Sequence, residues 1–437
     1  MRLLICNISH SLQGGVENIV ADLCRHLPSR GIEAILGLAR GGRFNDPDRY
    51  RAAFPDLPAV VIDGAKGTRQ ARLEGLLKTI RQVRPDIVLI ARVFDAYEAV
   101  TRLKRRHGWP RLAVTIQAYE PHYLYDARLY RDHIDLCVTS GELVRQGVCR
   151  WSGLAAERVI SIPGGVRPPL NPPQSRRPGG VLRLGYVGRL DPDQKRIFDL
   201  VPVVQGLDQA GLAYRLDVVG GGPAEAELRR RLAAGEQAGR IVFHGWQDYQ
   251  ALYGRIYPAL DVLVHFAHTE GVTIAPREAM AHGVTPVISR FAGLKTEGQF
   301  LDGVNALTFP VGDTAAAVGQ ILRLWREPGL LERLSASAMI SQQGKYSYEG
   351  ALDAWAEAFR ACLARPPVTG PRPRLRWPPD GRLARLGVPP WLAQRLRDLA
   401  GVRCDHADGS GEWPTGSGLM TADAAREIMA LAEEKDN

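Results

Sequence analysis

The sequence predicts an α/β protein made of two Rossmann-like, doubly wound domains followed by a C-terminal appendage. Short apolar runs alternate with amphipathic stretches of about 10–15 residues, the rhythm of βαβ units over a parallel sheet. The runs form two series of similar length. Between them lies Pro163–Gly180, whose six prolines and four glycines suit neither a helix nor a central strand.

The first series places strands near 2–8, 33–39, 59–63, 86–91, 112–117, 134–139 and 158–162, apolar on both faces as a covered parallel sheet requires. The helix after the first strand carries Val16, Ile19, Val20, Leu23 and Leu27 on one face. The second series falls near 182–188, 214–219, 240–244, 260–266, 284–288 and 305–309. These runs bound an N-terminal domain over 1–165, a hinge over 166–181 and a C-terminal domain over 182–345. Such folds bind ligands beyond the carboxyl ends of their strands, so function is sought in the loops leaving those ends and in the cleft between the domains.

Composition sets the class. A chain of 437 residues with 45% hydrophobic and 24% charged side chains is globular, not disordered, collagenous or a rod. A net charge of +9 suits anionic partners such as nucleotides, phospholipids or nucleic acid and chooses none of them. Nucleic acid is not expected. The six cysteines show no CxxC pair and no metal-ligand rhythm, as in a reducing compartment. No run reaches the 18 or so apolar residues of a membrane span, and the opening MRLLICNISH is too short in apolar residues for a signal core, so a cytoplasmic location is expected. Asn7-Ile8-Ser9 matches a glycosylation sequon but closes an expected buried strand.

Four segments carry chemistry. After the first strand, Gly14 and Gly15 let a ligand approach the amides at a helix start, where the dipole favours an anion; the same glycines also serve a plain tight turn. Arg189 and Lys195 lie on the loop leaving strand 182–188, where a guanidinium fork and a compact ammonium can clamp a diphosphate, though a solvated basic loop reads the same way. Gly220-Gly221-Gly222-Pro223 precedes a helix but lacks the spacing of a dinucleotide fingerprint, and no GxxxxGK[ST], HExxH or GxSxG occurs. Glu270 follows strand 260–266, and Glu278 is expected in the opening turn of a short helix with Pro276 near its start and Gly283 at its end.

Taken in order, GGVE, the Arg189 and Lys195 pair, VGGGP, FHG, EGVTIAPREAMAHG and DGVNALTFPVGD resemble the retaining GT-B glycosyltransferases of family four, also called glycosyl transferases group 1, over about residues 3–362. The resemblance implies that Glu278 accepts from the ribose of a nucleotide and that Glu270 holds hydroxyls of the donor sugar. Arg189 and Lys195 correspond to the diphosphate pair, Gly14 and Gly15 to the loop over the phosphates and acceptor, and Gly245 and Trp246 to the vicinity of the base. YSYEGALDAW implies a helix over 346–365 that returns to the N-terminal domain.

Two departures stand out. Gln117 occupies the place where the family often has a histidine, with His122 five residues further on, and the turn Gly271-Val272-Thr273 lacks a second glycine. The resemblance therefore leaves the donor sugar unnamed.

The implied reaction moves a sugar from a nucleotide-diphosphate sugar to a saccharide or lipid-linked saccharide with retention, without metal or other cofactor. A sugar-nucleotide epimerase or a non-catalytic nucleotide-sugar-binding subunit would use the same residues. Residues 366–403 hold eight arginines against two aspartates within the appendage 366–437. They read either as a solvated tail or as a peripheral membrane contact anchored by Trp377 and Trp391.

Overall fold

The computed structural model describes the chain apart from Gln13, 174–179, 271–272, 374, 376, 378–380 and 434–437. Two compact units emerge, Met1–Ile162 with Leu352–Leu431, and Pro163–Ala351.

The first unit contains a parallel sheet in the order β3-β2-β1-β4-β5-β6-β7. Its strands are β1 (Arg2–Asn7), β2 (Glu33–Arg40), β3 (Ala59–Asp63), β4 (Ile87–Ile90), β5 (Arg111–Ile116), β6 (Leu136–Thr139) and β7 (Val159–Ser161). Leu4, Ile5, Leu36 and Leu89 are wholly inaccessible, because helices cover both faces. The second unit repeats the plan in the order β10-β9-β8-β11-β12-β13, with β8 (Leu182–Val187), β9 (Tyr214–Val219), β10 (Ile241–Gly245), β11 (Val262–His265), β12 (Thr285–Ser289) and β13 (Leu307–Phe309). Each strand expected from the apolar runs is present, within a few residues at its ends.

In both sheets the strand order reverses beside the first strand, between β1 and β4 and between β8 and β11. At such a switch point neighbouring loops part to opposite sides and leave a crevice at the carboxyl edge. Gly14 and Gly15 follow β1, Arg189 and Lys195 follow β8, and Glu270 follows β11.

The Pro- and Gly-rich segment is tied to the second unit at its start, where Val166 pairs with Ser347 in a parallel bridge. The buried Arg277 donates to the carbonyls of Gly164 (2.5 Å) and Tyr346 (3.1 Å). The helix Tyr348–Ala364 begins in the second unit and is part of the first from Leu352 on, where Asp353 accepts from Arg30 at 2.7 Å.

The reading of the C-terminal segment as a solvated tail needs correction. It crosses the carboxyl edge of the first sheet strand by strand. Cys404 N donates to Lys66 O after β3, Trp413 Nε1 to Arg40 O at the end of β2, and Phe94 N, after β4, to Pro414 O. Beyond β5, Ser417 N reaches Asp126 and the Tyr119 hydroxyl reaches Ile428 O. Trp413 and Ile428 are fully buried. Glu412 accepts from the consecutive amides of Arg43, Phe44 and Asn45, a nest for an anion. Trp377 is likewise no membrane anchor: its ring lies 5.7 Å from that of Phe94, under the Arg69 guanidinium at 3.9 Å.

Candidate active site

In the second unit the loops after β8 and β11 are stitched together. Arg189 donates to the Gln194 carboxamide at 2.6 Å, and His268 N donates to Gln194 O at 3.0 Å. Next to that link Lys195 donates to Glu270, whose same oxygen meets His265 Nε2 at 2.9 Å. Glu270 and His265 are buried while Arg189, which also pairs with Asp191 at 3.8 Å, stands half exposed, so the cluster presents one accessible guanidinium beside an enclosed ion pair. Burial alone would raise the pKa of Glu270, but the hydrogen bonds and charges of His265 and Lys195 outweigh it and hold the carboxyl below its usual range. Glu270 is therefore an ionised acceptor at neutral pH.

The glycine cluster after β9 completes the edge. A side chain at Gly220 would lie 1.9 Å from Gly188 O, and one at Gly222 would lie 2.4 Å from Leu190 O. Only glycine lets this loop pack on the backbone of the Arg189 loop. Gly245, at φ 64°, ends β10 at an irregularity in the pairing with β9. It turns the exposed Trp246 toward Gly221, where an added Cβ would stand 2.9 Å from the indole nitrogen.

Glu278 has partners of its own. The helix runs Ile274–Ala281 with buried Thr273 as its N-cap, so it starts two residues before Pro276 and places Glu278 in its second turn, not its opening one. The physical reason is that Pro276 needs no amide partner anywhere in the first turn, so the helix is free to begin earlier. The Tyr257 hydroxyl donates to Glu278 at 2.7 Å, yet burial pushes the carboxyl above its usual range. Gly271 and Val272 lie outside the described residues.

In the first unit Gly14 has φ 152° and caps the helix Gly15–His26, leaving the first amides without a side-chain cap. The buried Glu17 pairs with Arg92 of the loop after β4 at 2.5 Å and so fixes the helix start at the switch point. Gln117 folds back on Thr115 of its own strand. His122 sits in the helix Pro121–Leu129, its ring 3.9 Å from that of Tyr123 and tilted 43° to it, and faces Gly416 of the C-terminal segment. Burial lowers its basicity and the Glu120 carboxylate pulls the other way. Beside it Asp126 is pushed up to about 7 by burial, against the pull of Ser417.

His265, Gln194, Tyr257, Glu17 and Arg92 were not singled out by the motifs. The signal for His265 was a histidine closing an otherwise apolar strand; Glu17 stands in the GGVE motif itself. No group of three or more His, Cys, Asp or Glu side chains able to hold a metal occurs among the described residues.

Two doubly wound parallel sheets with these loops at their switch points define a protein of the GT-B fold. Sucrose-phosphate synthase from Thermosynechococcus elongatus superposes with a TM-score of 0.66 at 18% identity over 83% of this chain and 99% of that one. HepE from Anabaena in complex with UDP-glucose gives 0.62 at 16% identity over 83% and 100%.

Residues 13–168 match the family described as Glycosyltransferase Family 4, and residues 182–327 the one described as Glycosyl transferases group 1. With one match on each sheet, the chain belongs to this glycosyltransferase family. A curated relative, glycogen synthase of Bordetella parapertussis, is 26% identical over 221 residues, 46% of this chain and 41% of that protein. The chain thus matches about two fifths of that relative's length.

Proposed function

We propose that the chain transfers a sugar from a nucleoside-diphosphate sugar to a saccharide or lipid-linked saccharide, with retention and without a metal. The observation that carries this reading is the cluster of Arg189, Gln194, Lys195, Glu270 and His265 at the switch point of the second sheet. Cleavage of the donor leaves negative charge on the departing phosphate and positive charge at the anomeric carbon. Catalysis therefore needs donors fixed in advance toward that phosphate.

Arg189 offers a planar fork to the diphosphate, and Lys195, held by Glu270, needs little reorganisation to share its protons with a phosphate oxygen. Glu270, ionised, accepts from sugar hydroxyls beside the developing cation. Glu278 receives the ribose hydroxyls, which add to the Tyr257 hydroxyl as donors to its buried carboxylate. The departing phosphate, on the same face as the acceptor, takes the acceptor's proton, so no enzyme nucleophile is required. The two cations provide the countercharge a divalent metal would otherwise bring.

A structural neighbour was crystallised with UDP-glucose, which makes that donor the first to try, followed by GDP- and ADP-sugars. We expect a rise in melting temperature with the right donor and slow release of nucleoside diphosphate, unchanged by EDTA and accelerated by the acceptor. Silence with every donor in both assays sinks the proposal. An epimerised donor recovered without transfer would assign the chain to the epimerase reading instead.

A further inference from the structure

Exposed large apolar side chains are concentrated in one place. Leu386, Trp391, Leu396, Leu399 and Val402 are 43–86% accessible and fall within residues 386–402. The helix Pro390–Leu399 is fixed by its buried side, Ala393 and Gln394, with Thr68 bonded to Gln394 and Lys66 paired with Asp398 at 2.8 Å. Trp391, Arg395 and Leu399, four residues apart, point away from that side, and Val402 continues the stripe. Arg382, Arg385, Arg395 and Arg403 are exposed in the same stretch.

Trp391 also walls a cavity of about 620 Å³ whose other sides carry Arg102, Arg105, Arg106 and Arg372. Arg102 and Arg372 share one oxygen of Glu98, each at 2.7 Å, whereas Arg105 and Arg106 are exposed and form no ion pair with a described residue. A protein interface gathers its apolar groups in a core depleted of charge. Here apolar groups protrude singly between arginines, the pattern that inserts at the headgroup boundary of a bilayer while the cations meet anionic lipid. A second copy of so basic a face would be repelled.

We propose that residues 382–403, together with Arg102, Arg105 and Arg106, form a docking face for an anionic phospholipid bilayer, with Trp391 and Leu399 inserted and the arginine-lined cavity over the headgroups. This goes beyond sugar transfer and is independent of it, since the test uses no donor. The full chain is mixed with vesicles of phosphatidylcholine alone or blended with phosphatidylglycerol, and bound protein is measured by flotation at low and high salt.

Binding is expected only to the blended vesicles, with release at high salt. Replacing Arg105 and Arg106 by glutamine should weaken partitioning about fivefold per arginine. The pair Trp391→Glu and Leu399→Glu should weaken it at least as much, with an unchanged melting temperature because both sites are exposed. Equal binding to neutral vesicles, or variants that float like the parent, overturns the proposal. A concentration-dependent dimer abolished by Leu399→Glu would overturn it in favour of a second copy.

Discussion

At the scale of single residues, the second unit turns on where Lys195 spends its charge. Its ammonium is held by Glu270, which His265 also holds, so the cation stands fixed before any phosphate arrives. Replacing it by alanine should lower turnover by about 10²–10³, equivalent to about 3–4 kcal/mol, as for loss of one preorganised oxyanion donor. An unaltered rate in steady-state assays of Lys195→Ala would refute that role. Asp126 in the first unit behaves oppositely. Burial raises its carboxyl from the ordinary 3.8 to about 7, and one of its oxygens has no hydrogen-bond partner. The unfolded chain ionises it near pH 4 while the fold keeps it protonated to about pH 7, so stability is full below pH 4 and declines as pH rises between those values. The penalty above pH 7 has an upper bound of about 4 kcal/mol. Asp126→Asn removes it. Thermal denaturation should find the variant more stable than the parent at pH 8, with an advantage that shrinks toward pH 4; a constant difference across that range would rule the account out.

At the scale of elements, strands were legible because a strand covered on both faces must be apolar along its length, as in Ile87–Ile90, and the loops between them follow from the same count. The acidic and basic groups of the second unit were legible as residues but not as partners. Nothing in the spacing says that Lys195 closes on Glu270 or that Tyr257 serves Glu278, because both pairings depend on which strand neighbours which. The C-terminal segment was the least legible. Its glycines, prolines and arginines have the composition of a loop, and what holds it is a few large side chains far apart in sequence. Trp413 is the strongest of these, inaccessible to solvent with its indole nitrogen on Arg40 O at 2.9 Å. Trp413→Ala removes that burial and leaves the Arg40 carbonyl with the Gly64 amide as its donor. Urea denaturation followed by circular dichroism should show a loss of about 3–5 kcal/mol. A loss below 1 kcal/mol would mean that the segment is merely laid on the sheet.

At the scale of the whole molecule, one chain carries two sheets, and the C-terminal segment up to Leu431 belongs to the unit of the first. Arg189, Lys195, Glu270 and Glu278 all lie in the unit of Pro163–Ala351, whereas Leu352–Leu431 completes the unit of Met1–Ile162. Removing residues after 365 should therefore divide the consequences. The first unit would lose Trp413, Trp377 and Ile428 from its core, and Asn45 and its neighbouring amides would lose Glu412. Its unfolding transition should move to lower temperature by more than Trp413→Ala alone produces. The proposed nucleotide site keeps every side chain assigned to it, so the affinity for a nucleoside diphosphate in titration calorimetry should stay within a few-fold of the parent at temperatures below that transition. If calorimetry instead showed nucleotide binding abolished while the first unit still melted at the parental temperature, the segment would serve the second unit, and the assignment of the donor site to the Arg189, Lys195 and Glu270 cluster alone would be incomplete.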